Sequence, residues 1–305
     1  MEDEFWLGAF VIDRWELTDR LDIEGQVRGD WYSETQMDWS GRLSGLYALD
    51  DQDKHVWRLG VAKSFRTPFI SMREARIHRF PLPGPPLGPG GFLLNMLEPD
   101  GLINEQIYSF ETGYSGALTD QLTVKVNGYY QVYENLIGAR FQPPPFPGAQ
   151  VIELRNGDGG QSFGLETEFA YRYQNASLSV WHAFSDFEPN QPNQSIRSIL
   201  PAKHKVGLTG RVHLPDGWTV NTNYKFVDVT HGDPWLQGTA LGPPIDEHHR
   251  WDVSFAKKLL DDRGELMVGV NDVLDDTELE VTLPGTFEIH ETPGRTFYIR
   301  FQVQF

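Results

Sequence analysis

The chain has 305 residues, with 26 Lys+Arg against 43 Asp+Glu, a formal net charge of −17 and no cysteine. That acidic balance excludes a phosphate-binding surface over the whole molecule, and nucleic acid with it as a partner. Mean hydropathy is −0.42 and no apolar run approaches the roughly 20 residues of a membrane helix, which excludes a helical membrane protein but not a β-barrel, whose strands need only every second side chain apolar over about 10 residues.

In chain order, period-two alternation predicts about thirteen strands, centred near Val11, Gly25, Leu43, Gly60, Thr112, Val126, Thr167, Val180, Leu208, Asn223, Phe255, Val268 and Phe301. Leu122, Val124, Val126, Tyr130 and Val132 face away from Thr123, Lys125, Asn127 and Gln131. The last segment is the clearest. Phe297, Ile299, Phe301, Val303 and Phe305 interleave with Tyr298, Arg300, Gln302 and Gln304, giving one apolar face and one polar, charged face. Such a strand suits a wall between lipid and a wet lumen rather than a dry core.

The connections fall into two alternating kinds. Thr18 to Arg20, Asp50 to Asp53, Thr119-Asp120, Gln174-Asn175, Pro215 to Gly217 and Asp261 to Gly264 are short and made of turn-forming residues. Arg66 to Asn104, Asn135 to Gly160, Glu188 to Pro201, Thr230 to His248 and Asp275 to Pro293 are long; only the stretch around Ser33 to Gln36 is brief. Short turns at one end and long loops at the other are the periplasmic and extracellular ends of an outer-membrane barrel. Counting back from a periplasmic Phe305, every short turn is periplasmic. Trp15, Trp57, Tyr173, Trp218 and Phe305 then form a lower aromatic belt, and Trp31, Trp39, Tyr108 and Trp251 an upper one. The fold expected is an antiparallel transmembrane β-barrel, all-β and partial.

Several segments also resemble, in order, the strands of the TonB-dependent receptor family. They are Gly25-Gln26-Val27-Arg28-Gly29-Asp30, Ser64-Phe65-Arg66-Thr67-Pro68, Tyr108 to Tyr114, Gly164-Leu165-Glu166, Gly269 to Asp275, and Pro293 to Phe297 running to a terminal aromatic. The resemblance implies a barrel of about 22 strands around a plug, energised by TonB through a short TonB box. It places residues 1–305 as the C-terminal part of the barrel domain, roughly the last three-fifths of the wall. Plug and box are outside this sequence. Met1-Glu2-Asp3-Glu4 lacks the layout of an export signal, and thirteen strands are an odd number, so Met1 is expected to be internal to a longer frame; a further strand within Glu278 to Ile289 would restore an even count.

The function implied is TonB-energised uptake of a scarce nutrient such as an iron–siderophore complex, with haem, cobalamin and oligosaccharide also open. A passive porin or adhesin is the alternative. Phe297, Ile299, Phe301, Val303 and Phe305 are, by resemblance, the signal read by the barrel-assembly machinery, and they also contact lipid. Arg66 is a candidate ligand contact or a lumenal ion pair. Arg28, Asp30, Glu111, Glu166, Glu168, Arg172, Lys205, Arg211 and Arg300 point inward and are read as a charge lattice with the plug. His78 matches the region where haem importers of the family carry a ligating His, although Glu98 to Leu102 departs from the family's Asn-Pro-Asn-Leu. Tyr133, Phe141, Trp181 and Trp235 are candidate stacking contacts for ligand. His248-His249 lacks a third ligand at zinc spacing, so neither metal nor cofactor is expected. Gly-x-Ser-x-Gly and His-Glu-x-x-His are absent, which argues against an enzyme. Lipopolysaccharide and outer-membrane lipid are the expected surroundings.

Overall fold

The computed structural model describes residues 4–73, 77–82, 92–97, 101–142, 149–190, 202–229, 246–260, 263–276, 279–281, 289–291 and 293–304. The first half contains β1 (Trp6–Thr18), β2 (Leu21–Tyr32), β3 (Gln36–Ala48), β4 (His55–Arg66), β5 (Ile77–Leu82), β6 (Phe92–Leu97), β7 (Glu105–Ala117) and β8 (Leu122–Gln142). The second contains β9 (Ala149–Tyr173), β10 (Ala176–Pro189), β11 (His204–Leu214), β12 (Trp218–Val227), β13 (His248–Leu259), β14 (Gly264–Asn271), β15 (Leu279–Val281), β16 (Ile289–Glu291) and β17 (Thr296–Val303). One four-residue helix, α1 (Ile70–Arg73), follows β4.

Thirteen strands form a single antiparallel meander in the order β1-β2-β3-β4-β7-β8-β9-β10-β11-β12-β13-β14-β17, and each expected strand centre falls on one of them. The registers show why alternation was decisive. Val124, Phe169, Val180, Leu208, Tyr224 and Trp251 are successive cross-strand partners from β8 to β13. One residue along, the same strands pair Lys125, Glu168, Trp181, Gly207, Lys225 and Arg250. Because side chains alternate across a strand, the first row is an outer apolar face and the second a polar, lumenal one. All eight described belt aromatics share the outer face with the first row, as their partners in the ladders require.

A conventional core is not what holds this sheet. Phe297 and Ile299 are each 76% exposed and Val11 65%. Each would cost roughly 1.5–3 kcal/mol of unrealised burial in water; lipid removes that penalty, and the ladders pair backbone groups between neighbouring strands.

At the periplasmic end the turns are tight and locally encoded. The Thr119 hydroxyl accepts from the backbone N–H of Gln121 and Leu122 at 3.2 and 3.0 Å, Asp50 accepts from Lys54 N–H at 2.9 Å, and Asp216 takes a left-handed φ of 60° between Pro215 and Gly217. Neighbouring turns are tied by an Arg20–Asp51 ion pair, which holds the guanidinium above its usual pKa, first through the hydrogen bond and then through the carboxylate's charge.

Three expectations about the extracellular side need correction. Asn135 to Gly160 is largely ladder: β8 and β9 run 21 and 25 residues and pair as far as Gln142 opposite Val151. Two register shifts between Tyr133 and Gly138, with φ of 57° at Asn135 and 123° at Gly157, put a bulge at the bend; the second angle is one that glycine alone adopts readily. That bulge, within the run Asn156-Gly157-Asp158-Gly159-Gly160, breaks the alternation and imitates a loop. The Arg66 to Asn104 connection contains α1 and the β5–β6 hairpin, and β6 joins the extended β9 in parallel, Leu93 opposite Ala149. The strand sought within Glu278 to Ile289 is a separate two-stranded ladder, β15 with β16. It adds nothing to the meander, so β1 and β17 remain its edges and run in the same direction.

Candidate ligand site on the lumenal wall

Where β4, β7, β8, β9 and β10 approach the extracellular end, they line an open cavity of about 450 Å³. Register builds it. Ser109, Gln131, Ser162 and Phe187 are successive partners, as are Ile107, Tyr133, Gly160 and Pro189 in the next lumenal row. Small residues oppose large ones. A Cβ at Gly164 would overlap the Tyr129 ring, and one at Gly160 the Phe187 ring, so both rings lie flat against glycine and keep a face toward the lumen. Tyr133 meets Phe187 edge-on at 5.6 Å.

The polar groups form a directed network. Tyr133 donates its hydroxyl to Gln131 Oε1 at 2.7 Å, and Ser162 Oγ donates to the same oxygen at 3.2 Å. Glu105, 4% exposed, accepts from Arg66 Nε on one oxygen and from the Ile137 backbone N–H at 2.8 Å on the other. One carboxylate thus fixes the top of β4 and the base of the β8–β9 extension. Asn156 braces the same place, accepting from Ile103 N–H at 2.8 Å while its amide donates to the Ile103 and Asn135 carbonyls at 2.9 and 2.6 Å.

A second lumenal tier lies below. Trp181 covers Gly207, its directly opposed partner, beside a smaller cavity of about 280 Å³ shared with Lys125, Glu166 and Glu168. Gly207→Val is expected to displace the indole and destabilise the barrel by about 1–3 kcal/mol, the usual cost of overpacking. A urea titration of folding into vesicles measures this, and a midpoint equal to the parent's would show that Trp181 has room to move.

Of the residues singled out from sequence, Arg66 and Tyr133 line the upper cavity and Trp181 the lower tier. Phe141 belongs to β8 beyond the bulge, opposite Ile152, and His78 to β5; their side chains lie outside the described residues, as does the whole of Trp235. Phe297, Ile299, Phe301 and Val303 line the outer face of β17, and Phe305 is outside the described residues. Several of the inward charges pair within the wall itself: Arg28 with Asp30 at 2.6 Å, Arg42 with Glu111 at 3.2 Å, Lys125 with Glu168 at 3.7 Å and Arg300 with Glu265 at 3.3 Å. Among the described residues no three His, Asp or Glu side chains converge as metal ligands; His249 instead meets the Tyr224 hydroxyl at 2.7 Å.

Sequence reasoning missed Glu105, Tyr129, Gln131 and Phe187 as cavity residues. Alternation marked Gln131 as inward; a usable signal for the rings was an aromatic opposed by glycine, which becomes visible only once register is known.

An antiparallel wall with an apolar outer face, a wet inner face and segregated turns and loops defines a transmembrane β-barrel, here carrying a ligand-sized cavity on its inner wall. The chain belongs to the TonB-dependent receptor family: the family profile described as TonB dependent receptor-like, beta-barrel matches residues 2–273. Among solved structures, the siderophore receptor PirA from Acinetobacter baumannii superposes with a TM-score of 0.74 at 14% identity, over 99% of this chain and 46% of that one. A mutant of the ferric enterobactin receptor PfeA from Pseudomonas aeruginosa gives 0.75 at 14% identity, over 98% and 45%. The copper transporter OprC gives 0.72 at 16% identity, over 99% and 50%. The chain therefore spans about half the length of these proteins, which are receptors and transporters rather than enzymes. No curated protein matches its sequence.

Proposed function

We propose that this chain is the C-terminal part of the barrel of an outer-membrane importer that takes up a scarce nutrient, a ferric siderophore being the leading cargo, with energy delivered by TonB through a plug. The observation that carries this is the aromatic- and amide-lined cavity on the lumenal wall at the extracellular end. Arg66, Tyr133 and, lower down, Trp181 are the proposed ligand contacts. Membership of the family and the siderophore receptors among its structural neighbours support the reading. In the same proposal the outer face of β17 is read by the barrel-assembly machinery, and the outer belts meet lipopolysaccharide and lipid.

The test is uptake of radiolabelled ferric siderophores by cells expressing the full-length protein, with and without a functional TonB complex. Uptake that stops when TonB is removed supports the proposal. Uptake that persists through the same protein would instead make it a passive porin.

A further inference from the structure

We infer that the upper lumenal cavity selects a ligand of zero net charge, held by ring faces and neutral hydrogen-bonding groups rather than by cations. Within the import reading above, on which this rests, the cargo is then a neutral chelate of the ferric tris-hydroxamate class and not a multiply anionic ferric tris-catecholate.

The first ground is charge. Arg66, Glu105 and Asp186 line the cavity, and each is already committed: Arg66 to Glu105, and Asp186 to Lys203 at 2.9 Å. Taken with Lys203 they sum to zero. Arg66 gives Glu105 its Nε–H, so an anionic ligand reaching the other guanidinium N–H groups meets a pair whose net charge is already zero; drawing the guanidinium away would strand Glu105, a buried carboxylate whose remaining partner is one backbone N–H, which is strongly unfavourable. The wall does own lumenal cations with no ion pair among the described residues, Arg58, Arg172, Lys205, Arg211 and Lys225 among them, but none of these lines this cavity.

The second ground is what remains on offer. Gln131 Oε1 is taken by Tyr133 and Ser162, which leaves the Gln131 amide N–H groups as donors. Tyr129 and Phe187 lie flat on Gly164 and Gly160 and present ring faces. Those faces carry the negative end of the aromatic quadrupole: they attract C–H groups and repel anions. Neutral donors beside open ring faces match an uncharged ligand with amide or hydroxyl oxygens and an apolar flank.

The experiment measures binding of three probes to the full-length protein carrying this barrel, purified in detergent: a neutral ferric tris-hydroxamate, a trianionic ferric tris-catecholate and a neutral oligosaccharide. The hydroxamate is expected to bind at least tenfold more tightly than the catecholate. Gln131→Ala should lose at least tenfold for the hydroxamate, and Gln131→Arg, which adds an unpartnered cation, should narrow the gap to the catecholate. A catecholate bound as tightly or more tightly overturns the inference and leaves the chelate-import reading standing. Binding of the oligosaccharide alone overturns chelate import and leaves the neutral-ligand inference standing. Binding of none of the three overturns the cavity as a ligand site.

Discussion

Replacing Arg66 with alanine is expected to destabilise the barrel by about 3 kcal/mol. Breaking a buried ion pair from one side costs about 3–5 kcal/mol, because the surviving charge is left uncompensated; the lower end applies because the Arg66 side chain is 59% exposed while Glu105 is 4%. Glu105 would keep the Ile137 N–H and lose its counter-charge. Glu105→Gln removes the charge but retains an oxygen for that N–H, so alone it should cost nearer 1 kcal/mol, the worth of a typical hydrogen bond. The double variant should recover most of the Arg66→Ala loss. Urea titrations of folding into lipid vesicles measure all three, and a double variant no more stable than Arg66→Ala would show that the pair is not coupled.

A charge placed on the outer face of the last strand should do comparable damage by a different route. Ile299 is 76% exposed and stands opposite Val268 in the middle of β17. Ile299→Arg is expected to cost about 2–4 kcal/mol, as arginine does at the bilayer midplane of a barrel, and to deplete the folded protein from the outer membrane. The sequence already has an arginine one residue along: Arg300 faces inward and reaches Glu265 at 3.3 Å. Gln302→Arg, on that same inner face, is expected to change stability by less than about 0.5 kcal/mol. Heat-modifiable mobility on a gel separates folded from unfolded protein, and equal folding of the Ile299 and Gln302 variants would mean the two faces are misassigned.

The wall was legible in the sequence because a membrane barrel writes its solvent environment into every second residue. Val206, Leu208 and Val212 against Lys205, Thr209 and Arg211 suffice to orient β11, and Pro215-Asp216-Gly217 ends it. The extracellular architecture was not legible. Its strands carry bulges, and the β8–β9 extension passes through Asn156-Gly157-Asp158-Gly159-Gly160, a run whose local preference is for turns. It is held there by long-range bonds such as Asn156 to Ile103, which no local pattern announces. The same limit explains the site. Arg66 and Tyr133 could be named as inward residues, but the roles of Glu105 and of the glycines beneath Tyr129 and Phe187 depend on which residue opposes which.

The most direct test of the whole account exploits the absence of cysteine. Single cysteines introduced one at a time along Val206 to Val212 and Thr219 to Tyr224, in the folded protein in vesicles, can be labelled with an environment-sensitive fluorophore and quenched from the lipid or the water side. Lipid-side quenching is predicted at Val206, Leu208, Val212, Val220, Thr222 and Tyr224, and water-side quenching at Gly207, Thr209, Arg211, Thr219, Asn221 and Asn223. Loss of that alternation, or its inversion, would contradict a barrel wall with a wet lumen and everything inferred from the cavity on it.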